Sequence, residues 1–251
     1  MIKDVDAAAE AWLAAIALLA STRDGATVRR GERGTTVLTT DSPFAFVNGV
    51  ISTRHPADAA EVASAARSIS TDAAWAVQVR GDEVDDLIER TARERGLTAR
   101  RQLPFMIKDL TESEPGAPRY TLRGPDESGR FQRAMADGFG GTLDTYDLFA
   151  SAATLNLPGV RAVTVEEPGG GIVATALGVL VHDMVGVFGV AVPAAHRRRG
   201  HGRAVTAALL AAARSAGART AFLHASDDGL PVYRDLGFTL VEKWTMLYRP
   251  R

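Results

Sequence analysis

The sequence predicts a mixed α/β (α+β) fold made of two domains, at residues 1–117 and 118–251. Three observations support this prediction. Patterns typical of helices and of strands alternate along the chain. Proline and glycine punctuate a polar stretch between residues 109 and 129, which is typical of a domain boundary. The order of predicted elements in the first half also recurs in the second half, which indicates that the two domains share a fold.

Composition limits the class of protein. The 251 residues are 46% hydrophobic and 24% charged, which indicates a globular protein. A net charge of -1 gives no overall attraction to nucleic acid or to an anionic membrane, so we expect neither partner. The absence of cysteine excludes disulfides and thiolate metal sites and fits a reducing cytoplasm. We therefore expect a cytoplasmic, metal-free monomer or homodimer.

The apolar run at residues 11–20 is the one segment that could pass for a targeting signal. Asp4, Asp6 and Glu10 precede it where a secretory signal needs positive charge. Apolar residues recur at three- and four-residue steps, which predicts an amphipathic helix instead. The stripe consists of Ile2, Val5, Ala9, Trp12, Ile16 and Leu19.

The two halves show the same order of predicted elements. In the first half we expect strands at residues 35–40, 44–52 and 75–79, helices at 56–69 and 82–95, and an extended segment at 97–107. In the second half we expect a short strand at 119–123, helices at 127–136, 144–153, 201–216 and 229–236, strands at 171–181, 184–192 and 219–225, and an extended ending at 238–248. A duplication explains this recurrence, and chance remains the alternative.

A basic, glycine-containing turn at residues 197–203 joins a β-branched strand to an alanine- and leucine-rich helix. The first amides of a helix lack internal partners and lie at the positive end of its dipole, so they favour an anion. Gly200 and Gly202 allow a diphosphate to approach the backbone closely. The turn is therefore predicted to bind phosphate, with cationic side chains supplied by Arg197, Arg198, Arg199 and Arg203.

Two other phosphate-binding motifs do not match this turn. A Walker loop needs Lys followed by Ser or Thr after the glycines, and the sequence has Arg203-Ala204 there. A dinucleotide fingerprint needs a third glycine, and the sequence has Val205 near that point. A solvated arginine-rich turn before an ordinary helix remains open.

Two sequence blocks together resemble the GNAT superfamily of N-acetyltransferases. The first is Arg197-x-x-Gly200-x-Gly202, which follows a strand and begins a helix, like the acyl-CoA motif of those enzymes. The second runs from Ala225-Ser226 through Tyr233 to Leu236-Gly237-Phe238. The resemblance covers residues 118–251 in element order and is tight between about 185 and 238. It implies that each domain is a mixed, mostly antiparallel sheet flanked by helices, the first being a degenerate GNAT-like domain.

The resemblance also implies where acetyl-CoA binds. The strand at 185–192 is expected to splay from the next strand, so that its exposed backbone pairs with the pantetheine arm, while the turn holds the diphosphate. The implied cofactor-binding residues are Val190, Ala191, Val192, Arg197, Arg198, Arg199, Gly200, His201, Gly202, Arg203, Ser226 and Tyr233.

Catalysis in that family proceeds by direct attack of an amine on the thioester, without a covalent enzyme intermediate. Tyr233 falls where the family often keeps a tyrosine that protonates the departing thiolate, so Tyr233 is the predicted catalytic acid. Packing within a short helix is its alternative role. Ser226 could contact the cofactor or cap the following helix, and His196 and His201 are given no chemical role.

A general base is the least defined part of the prediction. The strand at 185–192 has no titratable side chain, and a turn or surface role is open for every nearby candidate. His224 is the best placed because it ends a strand beside the expected thioester. The candidates are Glu166, Glu167, His182, Asp183, His224 and Asp227.

The first domain is predicted to bind no acyl-CoA. Its equivalent of the phosphate turn, residues 52–58, has no glycine pair, and Asp58 would repel a phosphate at the helix N-terminus.

The GNAT resemblance of the second domain predicts that the protein transfers an acetyl group from acetyl-CoA to an amine of a small molecule or a protein. A non-catalytic acyl-CoA-binding or sensing protein is the alternative, and a nucleic-acid-binding protein is disfavoured by the net charge.

Overall fold

A computed structural model describes residues 4–110 and 120–250 of the protein. Backbone contacts group the chain into two units, Met1–Phe105 with Leu240–Arg251, and Met106–Thr239. The C-terminal segment thus groups with the first unit and not with the second. The domain boundary expected near residue 117 lies outside the described residues, so domains at 1–117 and 118–251 stay a prediction.

Residues 4–110 form three helices and five strands. In chain order they are α1 (Val5–Ala20), β1 (Thr27–Arg30), β2 (Thr35–Thr39), β3 (Gly49–Ser52), α2 (Ala59–Ser68), β4 (Ala76–Arg80), α3 (Asp86–Glu94) and β5 (Ala99–Asp109). A 3-10 helix, Ala45–Val47, precedes β3.

Residues 120–250 form five helices and six strands. In chain order they are β6 (Thr121–Arg123), α4 (Ser128–Phe139), α5 (Asp147–Ala150), α6 (Ala152–Leu155), β7 (Val160–Glu166), β8 (Ile172–Val181), β9 (Met184–Ala191), α7 (His201–Ser215), β10 (Thr220–His224), α8 (Leu230–Asp235) and β11 (Thr239–Tyr248). Shorter 3-10 helices lie at Pro125–Glu127, Leu143–Tyr146 and Ala194–His196.

The first unit is a sheet covered by α1, α2 and α3. Strands β1, β2 and β3 pair antiparallel, β4 pairs parallel with β3, and β11 pairs antiparallel with β4. The predicted N-terminal helix is present as α1, which follows the N-cap Asp4 and buries Ala9, Trp12, Ile16 and Leu19 of the predicted stripe. Val5 is half-buried, and Ile2 lies outside the described residues. Its Trp12 packs edge-on against Trp244 of β11, with ring centroids 5.3 Å apart.

The second unit has the same kind of sheet. Strands β6, β7, β8 and β9 pair antiparallel, and β10 pairs parallel with β9. In chain order, each half of the sequence therefore has three antiparallel strands, a helix, a strand parallel to the third strand, another helix and a final strand, although the final strand of the second half, β11, pairs with β4 of the first unit. This confirms the predicted class of mixed, mostly antiparallel sheets flanked by helices. Duplication as the origin of the recurrence stays a prediction.

Several predicted boundaries were wrong for local reasons. The strand expected at 44–52 is confined to Gly49–Ser52, because Ala45–Val47 forms a 3-10 turn. Helices α2 and α3 begin later than expected, since Asp58 and Asp85 cap them and lie outside the helices. The single helix expected at 144–153 is replaced by the 3-10 helix Leu143–Tyr146 and the two short helices α5 and α6.

Two strands were missed altogether. The four residues of β1 are all exposed, so its sequence has no apolar alternation to reveal it. Strand β7 lies between β6 and β8 and is almost fully buried.

Within residues 4–110 and 120–250, no helix is long and apolar enough to cross a membrane.

A buried arginine closes the end of β4 in the first unit. Arg80 is 5% exposed and donates to Glu242 at 2.9 and 3.1 Å, to Asp6 at 2.6 Å and to the carbonyl of Thr53 at 2.8 Å. Burial lowers the pKa of Arg80, but the hydrogen bonds to the two carboxylates outweigh this effect and raise the pKa above its ordinary value. A buried charge of this kind is tolerated because it is paired.

Replacing Arg80 with methionine is expected to lower the free energy of unfolding by about 3–5 kcal/mol, because Glu242 then stays buried without its cation. Urea denaturation followed by circular dichroism measures the change. The control is Arg93→Ala, which removes an exposed pair with Glu89 and is expected to cost less than about 0.5 kcal/mol. Equal stability of the two variants would contradict the assigned role of Arg80.

Candidate functional site

The site of the second unit is an opening between two parallel strands. Strands β9 and β10 pair at Thr220↔Met184, Ala221↔Val185 and Phe222↔Gly186. Beyond Gly186, β9 continues to Ala191, and β10 continues to His224. Among the described residues the ladder between these two strands ends there, so the strands separate toward their carboxyl ends. This separation agrees with the expected splay.

A bulge in β9 shapes the same opening. The register between β8 and β9 shifts between Thr175↔Ala191 and Leu177↔Phe188. Gly189 lies inside the shift with φ 57°, a left-handed conformation that glycine adopts without strain. The hydroxyl of Thr175 donates to the Gly189 carbonyl at 3.1 Å and holds the bulge. A bulge bends a strand locally, so the end of β9 turns away from regular pairing.

The predicted pantetheine residues lie on this bulged end. Val190 and Val192 are half-buried, whereas Ala191 is 2% exposed. Ala191 is therefore buried as a whole, and the surface at this end of β9 is contributed by its two neighbours. The structure brings the three residues together at the opening, and their contact with a cofactor stays a prediction.

Helix α4 packs closely against the end of β9. A Cβ placed on Gly138 would lie 2.7 Å from the Cβ of Ala191 and 3.0 Å from the amide nitrogen of Val192. Only glycine permits this approach. Arg197 reinforces it by donating to the carbonyls of Val192 at 3.1 Å and Gly138 at 2.7 Å. Arg197 thus joins the end of β9 to α4. The sequence predicted a contact of Arg197 with phosphate but not this structural role.

The N-terminus of α7 faces solvent with free backbone donors. Gly200 is the N-cap, with φ 81°, and no side chain caps this helix. The first backbone hydrogen bond at this end runs from Ala204 to the Gly200 carbonyl at 3.0 Å. The amides of residues 201–203 lie before it, in the positions that have no partner inside a helix. A Cβ on Gly202 would be 3.7 Å from Val192, so this glycine lies beside the end of β9.

The electrostatic field at this end of α7 favours an anion. The first turn of α7 has no acidic residue, and the positive end of the helix dipole lies there. Three exposed guanidinium groups surround it, on Arg198, Arg199 and Arg203. The imidazole rings of His196 and His201 have centroids 6.2 Å apart and add further donors. The structure therefore groups the residues predicted to hold the diphosphate.

Ser226 is not the N-cap of α8, which is Gly229 without a side-chain cap, but it stabilises the turn before that helix. Its hydroxyl accepts a hydrogen bond from the amide of Gly229 at 3.1 Å, in the turn before α8. This bond fixes the turn that leads from β10 into the short helix carrying Tyr233. A contact between Ser226 and a cofactor stays a prediction.

Tyr233 is half-buried on α8. Its ring packs edge-on against Phe238, with centroids 5.8 Å apart, and a Cβ on Gly229 would be 2.9 Å from its Cε2. Burial raises the pKa of Tyr233 to about 12. The phenol is therefore protonated at neutral pH and can act as a proton donor. A phenol with its ordinary pKa near 10 would be protonated as well, and the higher pKa makes Tyr233 a weaker acid, so the catalytic role stays a prediction while the packing role is observed.

The candidate bases occupy different parts of the unit. Glu166 forms ion pairs with Arg123 and, at 3.5 Å, with Arg130. His182 and Asp183 form the turn before β9, at the opposite end of that strand from the opening. Glu167 and Asp227 are exposed. His224 alone among the six candidates ends β10, where the two strands separate.

Sequence reasoning missed Gly138, Gly189 and Arg123. A signal existed for Gly189, since an isolated glycine within a strand pattern suggests a bulge. Gly138 follows the predicted helix at 127–136, and its contact with β9 links residues distant in sequence. Arg123 is 8% exposed and donates to Thr164 at 3.0 Å in the missed strand β7.

Within residues 4–110 and 120–250, no three His, Asp or Glu side chains form a metal site.

Residues 131–238 match the acetyltransferase (GNAT) family. The matched region contains the opening, the α7 turn and Tyr233. This GNAT match supports acetyltransferase activity in general terms. No curated protein matches the sequence.

Solved structures share the GNAT fold with this chain. A GCN5-related N-acetyltransferase from Kribbella flavida is 20% identical, with a TM-score of 0.71 over 100% of this chain and 97% of that one. A functionally unknown conserved protein from Staphylococcus epidermidis is 13% identical, with a TM-score of 0.64 over 90% and 95%. A GCN5-related N-acetyltransferase from Sphaerobacter thermophilus is 15% identical, with a TM-score of 0.57 over 87% and 82%. These similarities show the fold.

Gly138→Ala is expected to destabilise the protein by about 1–3 kcal/mol, because the added methyl group forces α4 away from backbone atoms of β9. Urea denaturation measures the loss. Gly129→Ala in the same helix is the control, since a Cβ there meets nothing within 4 Å, and it is expected to be neutral or slightly stabilising. Similar effects of the two substitutions would argue against close packing at Gly138.

Proposed function

We propose that the protein is an N-acetyltransferase that transfers the acetyl group of acetyl-CoA to an amine of a small molecule or a protein. The observation that carries this proposal is the opening between β9 and β10 beside the uncapped N-terminus of α7, within the region that matches the GNAT family. We further propose that the protein works in the cytoplasm as a monomer or homodimer, without a metal, nucleic acid or membrane partner.

The residues at the opening fit acetyl-CoA in two respects. The bulged end of β9 offers backbone groups beyond the ladder, and an extended amide-containing arm such as pantetheine can pair with them. The amides of residues 201–203 and the three guanidinium groups suit a diphosphate. Acetyl-CoA would supply an activated acyl group as a thioester.

Tyr233 is proposed to protonate the departing thiolate. A thiol is a better leaving group when a proton donor is held near its sulfur, because the anion need not be released as such. The raised pKa of Tyr233, about 12, keeps this phenol protonated across the physiological range. The hydrogen-bonded turn at Ser226 and Gly229 fixes the start of the helix that carries it.

A non-catalytic acyl-CoA-binding or sensing protein is the second candidate. It is favoured by one observation: β9 carries no titratable side chain from Met184 to Ala191 to serve as a base. Release of free thiol from acetyl-CoA, measured over a panel of amines, distinguishes the two. Binding without thiol release for any amine would favour the sensor.

The first unit is proposed to be a degenerate GNAT-like domain without an acyl-CoA site. Its parallel ladder continues through Ser52↔Val79, and Arg80 then bonds to the carbonyl of Thr53, so β3 and β4 do not separate at this end. The N-terminus of α2 is capped by Asp58, which accepts from the amide of Glu61 at 2.8 Å. An anion would meet a carboxylate there instead of free donors.

Gly202→Glu is expected to weaken acetyl-CoA binding about tenfold or more, since it places bulk and negative charge in the proposed diphosphate position. Isothermal titration calorimetry measures the affinity. Ser215→Glu adds the same charge near the exposed C-terminal end of α7 and is expected to leave the affinity unchanged. Unaltered binding by a folded Gly202→Glu protein would refute the proposed diphosphate site.

Tyr233→Phe is expected to lower kcat by about 100-fold while acetyl-CoA affinity stays close to that of the wild type, because the hydroxyl acts only on the leaving group. Steady-state thiol release and calorimetry provide the two readouts. Tyr248→Phe, the same change on β11, serves as the control and is expected to keep the wild-type kcat. A Tyr233→Phe enzyme with wild-type turnover under conditions where chemistry limits the rate would exclude Tyr233 as the acid.

A further inference from the structure

We infer that Phe188 limits the length of the acyl group, so that the site accepts acetyl and discriminates against butyryl and longer acyl groups. This inference rests on the proposed acetyl transfer and adds a specificity-determining residue to the same site. Phe188 lies on β9, two positions beyond Gly186, whose pairing with Phe222 is the last of the parallel ladder. Its side chain therefore stands at the inner end of the opening.

The two proposed anchors of acetyl-CoA give its direction along β9. The proposed diphosphate position is at the amides of residues 201–203, and Gly202 is beside Val192, just after the carboxyl end of β9. From there the pantetheine arm would run back along β9 toward the last pair of the ladder. The thioester is at the far end of this arm, so its acyl group would come to lie beside Phe188.

The ring of Phe188 fills the space next to Gly186. Residues two apart in a strand lie on the same face of a sheet, so these two residues share a face. A Cβ on Gly186 would lie 2.6 Å from Cε2 of Phe188 and 2.8 Å from Cε2 of Phe222. Two aromatic rings thus meet over the last pair of the ladder, and they close the inner end of the opening on this face.

Buried apolar side chains hold the Phe188 ring in this position. Its centroid lies 6.3 Å from that of Phe149 on α5, which is 4% exposed. Its partner across the β8–β9 ladder is the fully buried Leu177. A Cβ on the next residue, Gly189, would be 2.9 Å from Cε of Met135 on α4. Because protein interiors are close-packed, the ring has little room to move away from a longer acyl chain.

Phe188 is the member of this aromatic group with accessible surface. It is half-buried, whereas Phe222 and Phe149 are 0% and 4% exposed. Contact between an aromatic ring and a methyl group is favourable, because it removes apolar surface of both from water. The methyl of an acetyl group would end against the ring, and a longer chain continuing in the same direction would collide with it.

The face of the sheet opposite Phe188 is filled by α7. Val187 alternates with Phe188, lies on this opposite face and is 5% exposed. Its partner on β8 is Gly178, and a Cβ there would lie 2.7 Å from Cδ1 of Leu209 on α7. A change at Val187 therefore alters packing in the same strand without altering the side of the opening that Phe188 closes.

The test uses acetyl-, butyryl- and hexanoyl-CoA with the full-length protein. Calorimetry without an amine gives the Kd of each, and thiol release with an amine that accepts acetyl gives kcat/KM. The wild type is expected to prefer acetyl-CoA to butyryl-CoA by about 10-fold or more in both quantities, since a misfit of one methylene in an apolar pocket changes them by about 10- to 200-fold. Phe188→Ala is expected to raise the butyryl-to-acetyl ratio by about 10-fold or more.

Two further variants complete the test. Phe188→Leu keeps most of the apolar volume and is expected to shift the ratio in the same direction by a smaller factor, so it tests the inference where Phe188→Ala does not fold. Val187→Ala removes apolar atoms from the opposite face of the same strand and is the matched control. It is expected to keep the wild-type ratio, and circular dichroism checks that each variant is folded.

The outcomes that overturn the inference differ from those that overturn the proposed function. Equal affinity of the wild type for acetyl- and hexanoyl-CoA, or a wild-type ratio in folded Phe188 variants, would remove Phe188 as the determinant and leave acetyl transfer standing. An equal shift in Val187→Ala would assign the ratio to general loosening of β9 and overturn the inference as well. Absence of binding of every acyl-CoA by the wild type would refute the proposed function itself.

Discussion

The candidate site depends on the early end of hydrogen bonding between two parallel strands. Where a strand has no neighbouring strand, its backbone amides and carbonyls need other hydrogen-bond partners, because leaving them buried and unpaired costs free energy. In the second unit the ladder ends at Phe222↔Gly186, and the bulge at Gly189 turns the rest of β9 away. The helix that follows leaves its own first amides uncapped. Within the described residues, the end of β9 beyond this ladder and the first amides of α7 are therefore two neighbouring sets of backbone groups outside regular strand and helix pairing.

In the first unit, the corresponding strand end and helix end are closed by hydrogen bonds within the chain. Its strands β3 and β4 also pair in parallel and are also joined by a helix, but the ladder runs to Ser52↔Val79 and Arg80 satisfies the next carbonyl. The helix end is closed by the carboxylate of Asp58. The Thr53 carbonyl and the Glu61 amide, which lie at this strand end and this helix end, are therefore bonded within the chain itself. A shared order of elements thus does not fix a shared function, since the function depends on which backbone groups the side chains leave free.

The local features of the site could be predicted from sequence, and the long-range ones could not. The turn at 197–203 and the block ending at Phe238 each signal their structure within a few residues, through glycine, arginine and apolar spacing. Strand β1 has four exposed residues and gives no apolar pattern, so it was missed. The ion pair of Arg80 with Glu242 joins residues 162 positions apart, and the contact of Gly138 with Ala191 depends on the path of a whole helix. Such contacts follow from tertiary packing, which single-sequence periodicity does not encode.

The parallel strands β4 and β10 end in side chains of different chemistry. Strand β4 ends at Arg80 and β10 ends at His224, each the fifth residue of its strand. Arginine stays protonated at every physiological pH and has no acceptor atom, so Arg80 can only donate to fixed acceptors. A cation held by Glu242 and Asp6 stabilises the closed strand end in the first unit, whereas β10 ends at a histidine two residues after its pairing with β9 has stopped. The difference in the last side chain therefore accompanies the difference in backbone pairing between the two units.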